Sequence, residues 1–171
     1  MKRTTSSYKT IPSLLVLYFI AVFSLSGQTT GSIRTFASVV EATGIQLTPL
    51  QDLVIDESFA KDGILSIAPQ TDENAGKMLV TGKASSSIRL SYISEMVLSG
   101  TDGNGSLVCK LILSGHRTDN QRASLLLDQV EKVVQFSDRG EYFLWLGGTI
   151  DLSKAGPGEY DGDFTVQIEY I

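Results

Sequence analysis

The one histidine, His116, stands in Ser114-Gly-His-Arg-Thr-Asp-Asn120, and acid–base or metal chemistry in this chain would begin there. A nucleophilic triad needs a histidine held by a carboxylate beside a nucleophile, and zinc sites draw on several His or Cys ligands. The residues around His116 are polar and read as a loop. Two carboxylate pairs, Asp161/Asp163 and Asp56/Glu57, have the residue types for general acid–base work. Asp161 and Asp163, however, fall on the wet side of an alternating segment, where solvated acids are ordinary and no pocket is apparent. Asp102-Gly-Asn-Gly105 sets oxygen ligands at alternate positions, as calcium loops do, but lacks the terminal acid of an EF-hand and reads as a hairpin turn. Neither a phosphate-binding loop nor a dinucleotide fingerprint is present, and Gly-x-Ser-x-Gly is missing too. The chain reads as a non-enzyme, with no catalytic residue, metal ligand or cofactor site.

The single cysteine, Cys109, cannot form an intramolecular disulfide, so the core must hold the fold unaided. In Leu107-Val-Cys-Lys-Leu-Ile-Leu113 it shares a strand face with Leu107, Leu111 and Leu113, while Lys110 points the other way. That places Cys109 as a small buried hydrophobe rather than a reactive thiol, which would need exposure or a cation beside it.

The elements behind these residues are short β-runs separated by turns. The clearest is the last: Gly158-Glu-Tyr-Asp-Gly-Asp-Phe-Thr-Val-Gln-Ile-Glu-Tyr-Ile171 follows a Pro157-Gly158 turn. Tyr160, Gly162, Phe164, Val166, Ile168 and Tyr170 fall on one side, and Asp161, Asp163, Thr165, Gln167 and Glu169 on the other. Side chains alternate faces along a strand, so this is a half-buried strand packed against a second layer. Further strands are expected over 35–41, 53–56, 64–68, 77–81, 87–93, 96–99, 106–114, 133–136 and 141–152. Asp62-Gly63, Asn74-Ala-Gly76, Asp138-Arg-Gly140 and Gly156-Pro-Gly158 supply turn chemistry. Strands this short, with no long amphipathic helix between them, predict an antiparallel sandwich. Residues 123–132 stay open, because Leu126, Leu127 and Val130 fit a helical turn about as well as a strand.

The first residues carry a basic stretch (Lys2, Arg3, Lys9), an unbroken apolar run over 14–23, and small residues at Ser24, Ser26 and Gly27. This is the layout of a secretory signal peptide, with cleavage expected between Ser26 and Gln28. The apolar run is about half the ~20 residues that span a bilayer, so no membrane span is expected in the mature chain. Without Lys2, Arg3 and Lys9 the net charge of −5 becomes −8. A surface of that sign repels phosphate backbones, which excludes nucleic acid as a partner class. The remaining ~140 residues make one domain.

Gly147-Gly-Thr-Ile-Asp-Leu152, followed by Pro157-Gly-Glu-Tyr-Asp-Gly-Asp-Phe-Thr-Val-Gln-Ile-Glu-Tyr170, resembles the C-terminal signature of a family of exported bacterial domains labelled as of unknown function. That family looks like a relative of spore-coat-U and pilin-like β-sandwiches. Ala37-Ser-Val-Val-Glu41 with Ile45 and Leu47, Asp52-Leu53, Gly63-Ile-Leu-Ser-Ile-Ala-Pro69, and Val80-Thr-Gly82 through Leu98-Ser-Gly100 resemble its upstream strands. The chain departs from the family pattern at Val54-Ile55, where an aromatic-Gly pair is usual, and in the charged stretch 115–140. Pilus subunits of the chaperone–usher type have a similar final strand, read by strand addition. The resemblance implies that Phe164, Val166, Ile168 and Tyr170 serve strand pairing in assembly, with residues 28–34 as a free donor arm.

The reading is therefore an all-β, immunoglobulin-like antiparallel β-sandwich over 28–171, after a signal peptide over 1–27. It is secreted, periplasmic or at the cell surface. Its expected role is structural or adhesive, surface-associated or polymer-forming, through self-association or a partner protein joined by strand addition. The alternative is a small-ligand or carbohydrate-binding module. In Glu141-Tyr-Phe-Leu-Trp-Leu146 the aromatics Phe143 and Trp145 share one face, and Tyr142 lies on the other with Leu144 and Leu146. One of these faces is expected to be exposed for binding.

Overall fold

Wherever bulky apolar residues alternate with polar ones along this chain, a strand forms. The computed structural model describes residues 29–37, 44–101, 103, 105–127 and 131–171. The expected signal peptide over 1–27, its cleavage near Gln28, residues 38–41, Asp102, Asn104 and residues 128–130 lie outside the described residues. The described residues form twelve strands: β1 (Thr29–Ala37), β2 (Gln46–Gln51), β3 (Leu53–Asp56), β4 (Ile64–Ile67), β5 (Gly76–Thr81), β6 (Ser87–Tyr92), β7 (Glu95–Gly100), β8 (Ser106–His116), β9 (Leu125–Leu127), β10 (Lys132–Gln135), β11 (Glu141–Asp151) and β12 (Gly158–Tyr170).

All pairings are antiparallel except β1 with β12. The main path runs β10-β6-β12-β7-β8-β11-β5-β2. It folds over as a sandwich because β6 and β7 are two pieces of one bent strand. Both pair with β12, at Ile168↔Leu90 and Tyr160↔Gly100, and only Ile93 and Ser94 separate them. The β6 piece takes β10 on its far side and the β7 piece takes β8, so one strand joins the two layers. In one layer lie β10, β6, β12, β1 and β3. The other holds β7, β8, β11, β5 and β2, with β9 alongside β8 and β4 alongside β11.

The core lies between them. From β12 it takes Tyr160, Phe164, Val166 and Ile168, while Asp161, Asp163, Gln167 and Glu169 stay exposed. The alternation expected of this strand is present. Ile88, Leu90 and Leu98 enter from β6 and β7; Leu107, Cys109, Leu111 and Leu113 enter from β8. Cys109 is fully buried, and desolvation pushes its thiol up to about 12. The turn at Gly140 keeps the β10–β11 connection tight: its φ is +74°, and an added Cβ would collide with the Gly82 carbonyl.

One expectation on the elements is corrected, and a segment left open between helix and strand is described in part. The first strand begins at Thr29 rather than at 35, so residues 29–34 are not a free arm. Thr29 to Ala37 pair along Gly158 to Val166 of β12, and residues 30–33 pair with β3 as well. The reason is that both flanking strands would otherwise present unpaired backbone groups along an open edge. Residues 123–132 hold no long helix among those described: a short 3-10 turn at Gln121–Ala123 leads into β9. The strand β2 was not among the strands read from alternation, although Leu47 falls in the stretch likened to the family's first strand.

Candidate functional site

Two places could do something beyond holding the fold together. The first is the slot occupied by β1. Tyr160 and Asp161 of β12 pair with Gly31 and Ser32 of β1 on one side, and with Gly100 and Ser99 of β7 on the other. Val166 likewise lies between Ala37 and Tyr92. At Tyr160, Asp161 and Val166 both edges of β12 are therefore filled. The residues expected to serve strand pairing divide accordingly. Phe164, Val166 and Ile168 point into the core, and Phe164 meets the Tyr92 ring edge-on at 5.9 Å. Tyr170 is half-buried; its hydroxyl accepts from the Lys83 N–H at 2.8 Å and donates to the Gly44 carbonyl at 3.4 Å. In this strand, core packing occupies the alternate side chains, and an added partner would meet backbone edges, as β1 does.

The start of the slot is held by side chains the sequence offered as an acid–base pair. Glu57 Oε2 accepts from the Thr29 N–H at 2.8 Å. Asp56 caps the 3-10 turn Glu57–Phe59, accepting from the Ser58 N–H at 2.8 Å. The Ser58 hydroxyl and backbone N–H hold its carboxyl below the usual range. Each carboxylate has its own local partner, and the pair converges on nothing.

The second place is the outer face of β11. Phe143 and Trp145 were expected to offer an exposed aromatic face, or Tyr142 to do so from the opposite side. The structure corrects this, because Tyr142, Phe143 and Trp145 are only 5%, 9% and 2% exposed. Tyr142 faces the core, and Phe143 and Trp145 stack at 6.2 Å on the outside. Lys77 from β5 covers the Phe143 ring at 5.7 Å and reaches Asp119 at 2.7 Å, binding the segment after β8 across the aromatic pair. Gln121 Nε2 fastens the same segment by donating to the Pro69 and Asp72 carbonyls.

The result is a cleft of about 420 Å³ with Trp145 at its base and Gln51, Glu73, Lys77, Asp119 and Arg122 among its walls. That volume falls in the usual range for small-molecule sites, and its walls mix amides with charges of both signs. A signal for this arrangement was present in the run Tyr142 to Leu146, which is apolar on both faces and so requires cover on both. The cleft itself could not be read, because its walls come from segments remote in sequence.

His116 is the last residue of β8 rather than part of a loop. Its Nδ1 accepts from the Thr118 N–H at 3.1 Å and lies 2.9 Å from that residue's hydroxyl. Between β7 and β8 the Gly100 N–H bonds to the Gly105 carbonyl at 3.0 Å, as in a hairpin turn; Asp102 and Asn104 lie outside the described residues. Among the described residues no three His, Cys, Asp or Glu side chains are grouped to hold a metal, and no helix is long and apolar enough to cross a membrane.

Fold and sites together define an all-β sandwich with one strand seated in a two-sided slot and a small polar cleft. The chain belongs to a family described as a domain of unknown function (DUF4402), whose pattern matches residues 55–170. The match takes in β4 through β12 and leaves β1 and β2 ahead of it. No curated protein matches the chain.

Proposed function

We propose that this protein is an exported, non-enzymatic β-sandwich that builds or decorates a bacterial cell surface, associating with further copies or with a partner by strand exchange at the β1 slot. The observation that carries the proposal is the pairing of β1. Among the described residues its pairing with β12 is the one parallel pairing, and β1 lies ahead of the family match. A β1 from another chain would make the same backbone hydrogen bonds in the same slot, so exchange costs little in contacts and links copies. The leader-like segment over 1–27 and the likeness of the final strand to pilin-type sandwiches support the exported, structural role.

The register gives a direct test. Arg34 and Asp163 are partners across β1 and β12. With Arg34→Cys and Asp163→Cys, a disulfide within one chain reports the closed monomer, whereas a ladder of linked chains reports exchange. Single chains only, at every concentration on the cell surface and in solution, would refute strand exchange. Export is tested apart from this, by mass spectrometry of protein from the native host, which should begin near Gln28.

A second reading is favoured by the cleft over Trp145: a small-ligand or carbohydrate-binding module. Trp145 is the one tryptophan, so its fluorescence reports occupancy directly. Titration with neutral and acidic oligosaccharides should shift or quench it if this reading holds.

A further inference from the structure

The outer face of β7 and β8 carries an unusual row of exposed apolar side chains. Val97 and Val108 are register partners, 58% and 50% exposed. The Leu111 N–H bonds to the Ser94 carbonyl at 2.7 Å, one step past Glu95 and Lys110, and the next residues along are Ile93, at the bend before β7, and Ile112 of β8. These two are 69% and 39% exposed. Between the two apolar pairs lies one charged pair, Glu95 and Lys110, also register partners and also exposed. Neither forms an ion pair among the described residues, although they are neighbours across the strands. Three β-branched strand residues, with Ile93 at the bend beside them, lose little freedom on being covered, and an apolar patch of this kind marks an interaction surface.

The pattern is complementary to itself. A two-fold axis running along the strands, between β7 and β8, sets each β7 residue over its register partner on β8 of a second copy. Val97 then covers Val108, Ile93 covers Ile112, and Glu95 meets Lys110 twice, once in each direction. The chain as a whole is negative, at −5, so two copies repel in most orientations. This face is neutral and offers each charge its opposite. We infer that the outer face of β7 and β8 is a two-fold, face-to-face interface with a second copy of this chain, with Glu95 and Lys110 as its reciprocal ion pairs.

The interface is independent of strand exchange, since it uses side chains on a sheet face rather than backbone on an edge. Sedimentation equilibrium on the full chain as purified from its host should show a dimer. Glu95→Lys sets like charges together twice and should weaken it about tenfold or more, as should Lys110→Glu. The double variant E95K/K110E restores opposite charges and should return the affinity close to its original value. All three changes are on the surface, and thermal unfolding checks that each variant is folded. The dimer should also survive when β1 is locked in its own chain by the R34C–D163C disulfide, which abolishes exchange. A monomer at all concentrations would overturn the proposal. So would single variants that associate as well as the original, a folded double variant that fails to recover, or binding of this face to lipid vesicles in place of a second copy.

Discussion

The backbone N–H of Thr29 donates to Glu57 Oε2 at 2.8 Å, across the mouth of the slot that β1 fills. Thr29 Oγ1 donates to the Gly156 carbonyl at 3.2 Å, just ahead of β12. Glu57 follows β3 directly, so the first residue of β1 is tied to both strands that flank it. Thr29 is buried, and its anchor is a charged acceptor, the stronger class of hydrogen bond.

Removing that acceptor should loosen β1 at its beginning. Glu57→Ala is expected to cost about 1.5–3 kcal/mol, the range for a hydrogen bond to a charged group. If exchange operates, the same variant should raise the interchain fraction of the R34C–D163C disulfide. Equilibrium denaturation gives the first quantity and non-reducing gels the second. A loss of stability without any rise in interchain linkage would leave Glu57 as a clasp for a closed fold.

The register of β12 is open to a simple comparison. Phe164 is buried against Tyr92, and Phe164→Ala should cost about 3–5 kcal/mol through the cavity it leaves. Gln167 is exposed on the opposite face, and Gln167→Ala should stay within about 0.5 kcal/mol. Chemical denaturation midpoints distinguish them, and equal losses would mean that the strand faces are reversed.

The contrast between β12 and β2 shows what the sequence could reveal. In β12, and in β8 up to Leu113, burial alternates residue by residue, so the pattern reports both the strand and its inner face. Strand β2 is an edge strand with mostly exposed residues, and Pro49 and a register shift interrupt its pairing with β5. It carries no buried face and so no alternation to read. Strand β1 was misplaced for a related reason: its partner β12 lies more than a hundred residues away, and local pattern does not say which edge is vacant. The turns after Asp62, at Gly140 and before β12 were legible, because positive φ or a tight corner demands those residues. The cleft over Trp145 was not, since Gln51, Glu73, Lys77, Asp119 and Arg122 meet only in the folded chain.

Alkaline pH should destabilise this protein through two buried groups. Burial pushes Cys109 up from 9.0 to about 12, and it pushes Tyr142 up from 10.0 to about 12, with Arg117 opposing the shift at Tyr142. Both are neutral in the folded state and ionise more readily when unfolded. Between about pH 9 and 12 the unfolded chain therefore binds fewer protons, and stability falls as pH rises. Their full contribution is present below pH 9 and is lost as pH climbs through the folded values. Cys109→Ala should flatten the early part of this decline, whatever it does to stability at neutral pH. Urea midpoints measured from pH 7 to 11 test it; an unchanged slope would mean that Cys109 reaches water in the folded state.

Trp145 gives a probe of the cleft that needs no label. It is 2% exposed beneath the segment held by the Lys77–Asp119 ion pair, so its emission should be blue-shifted and weakly quenched by iodide. Asp119→Ala releases Lys77 and removes the strap that closes over the indole. Because Lys77 and Asp119 are both partly exposed, the loss in global stability should be no more than about 1 kcal/mol. The local effect should be larger, with a red shift in emission and a clear rise in quenching while the thermal midpoint falls by a few degrees at most. Gln121→Ala removes the donor to the Pro69 and Asp72 carbonyls and should act in the same direction. If neither variant alters the emission, burial of Trp145 depends on the sheet and not on the segment after β8, and the cleft is a fixed feature rather than one that opens to a ligand.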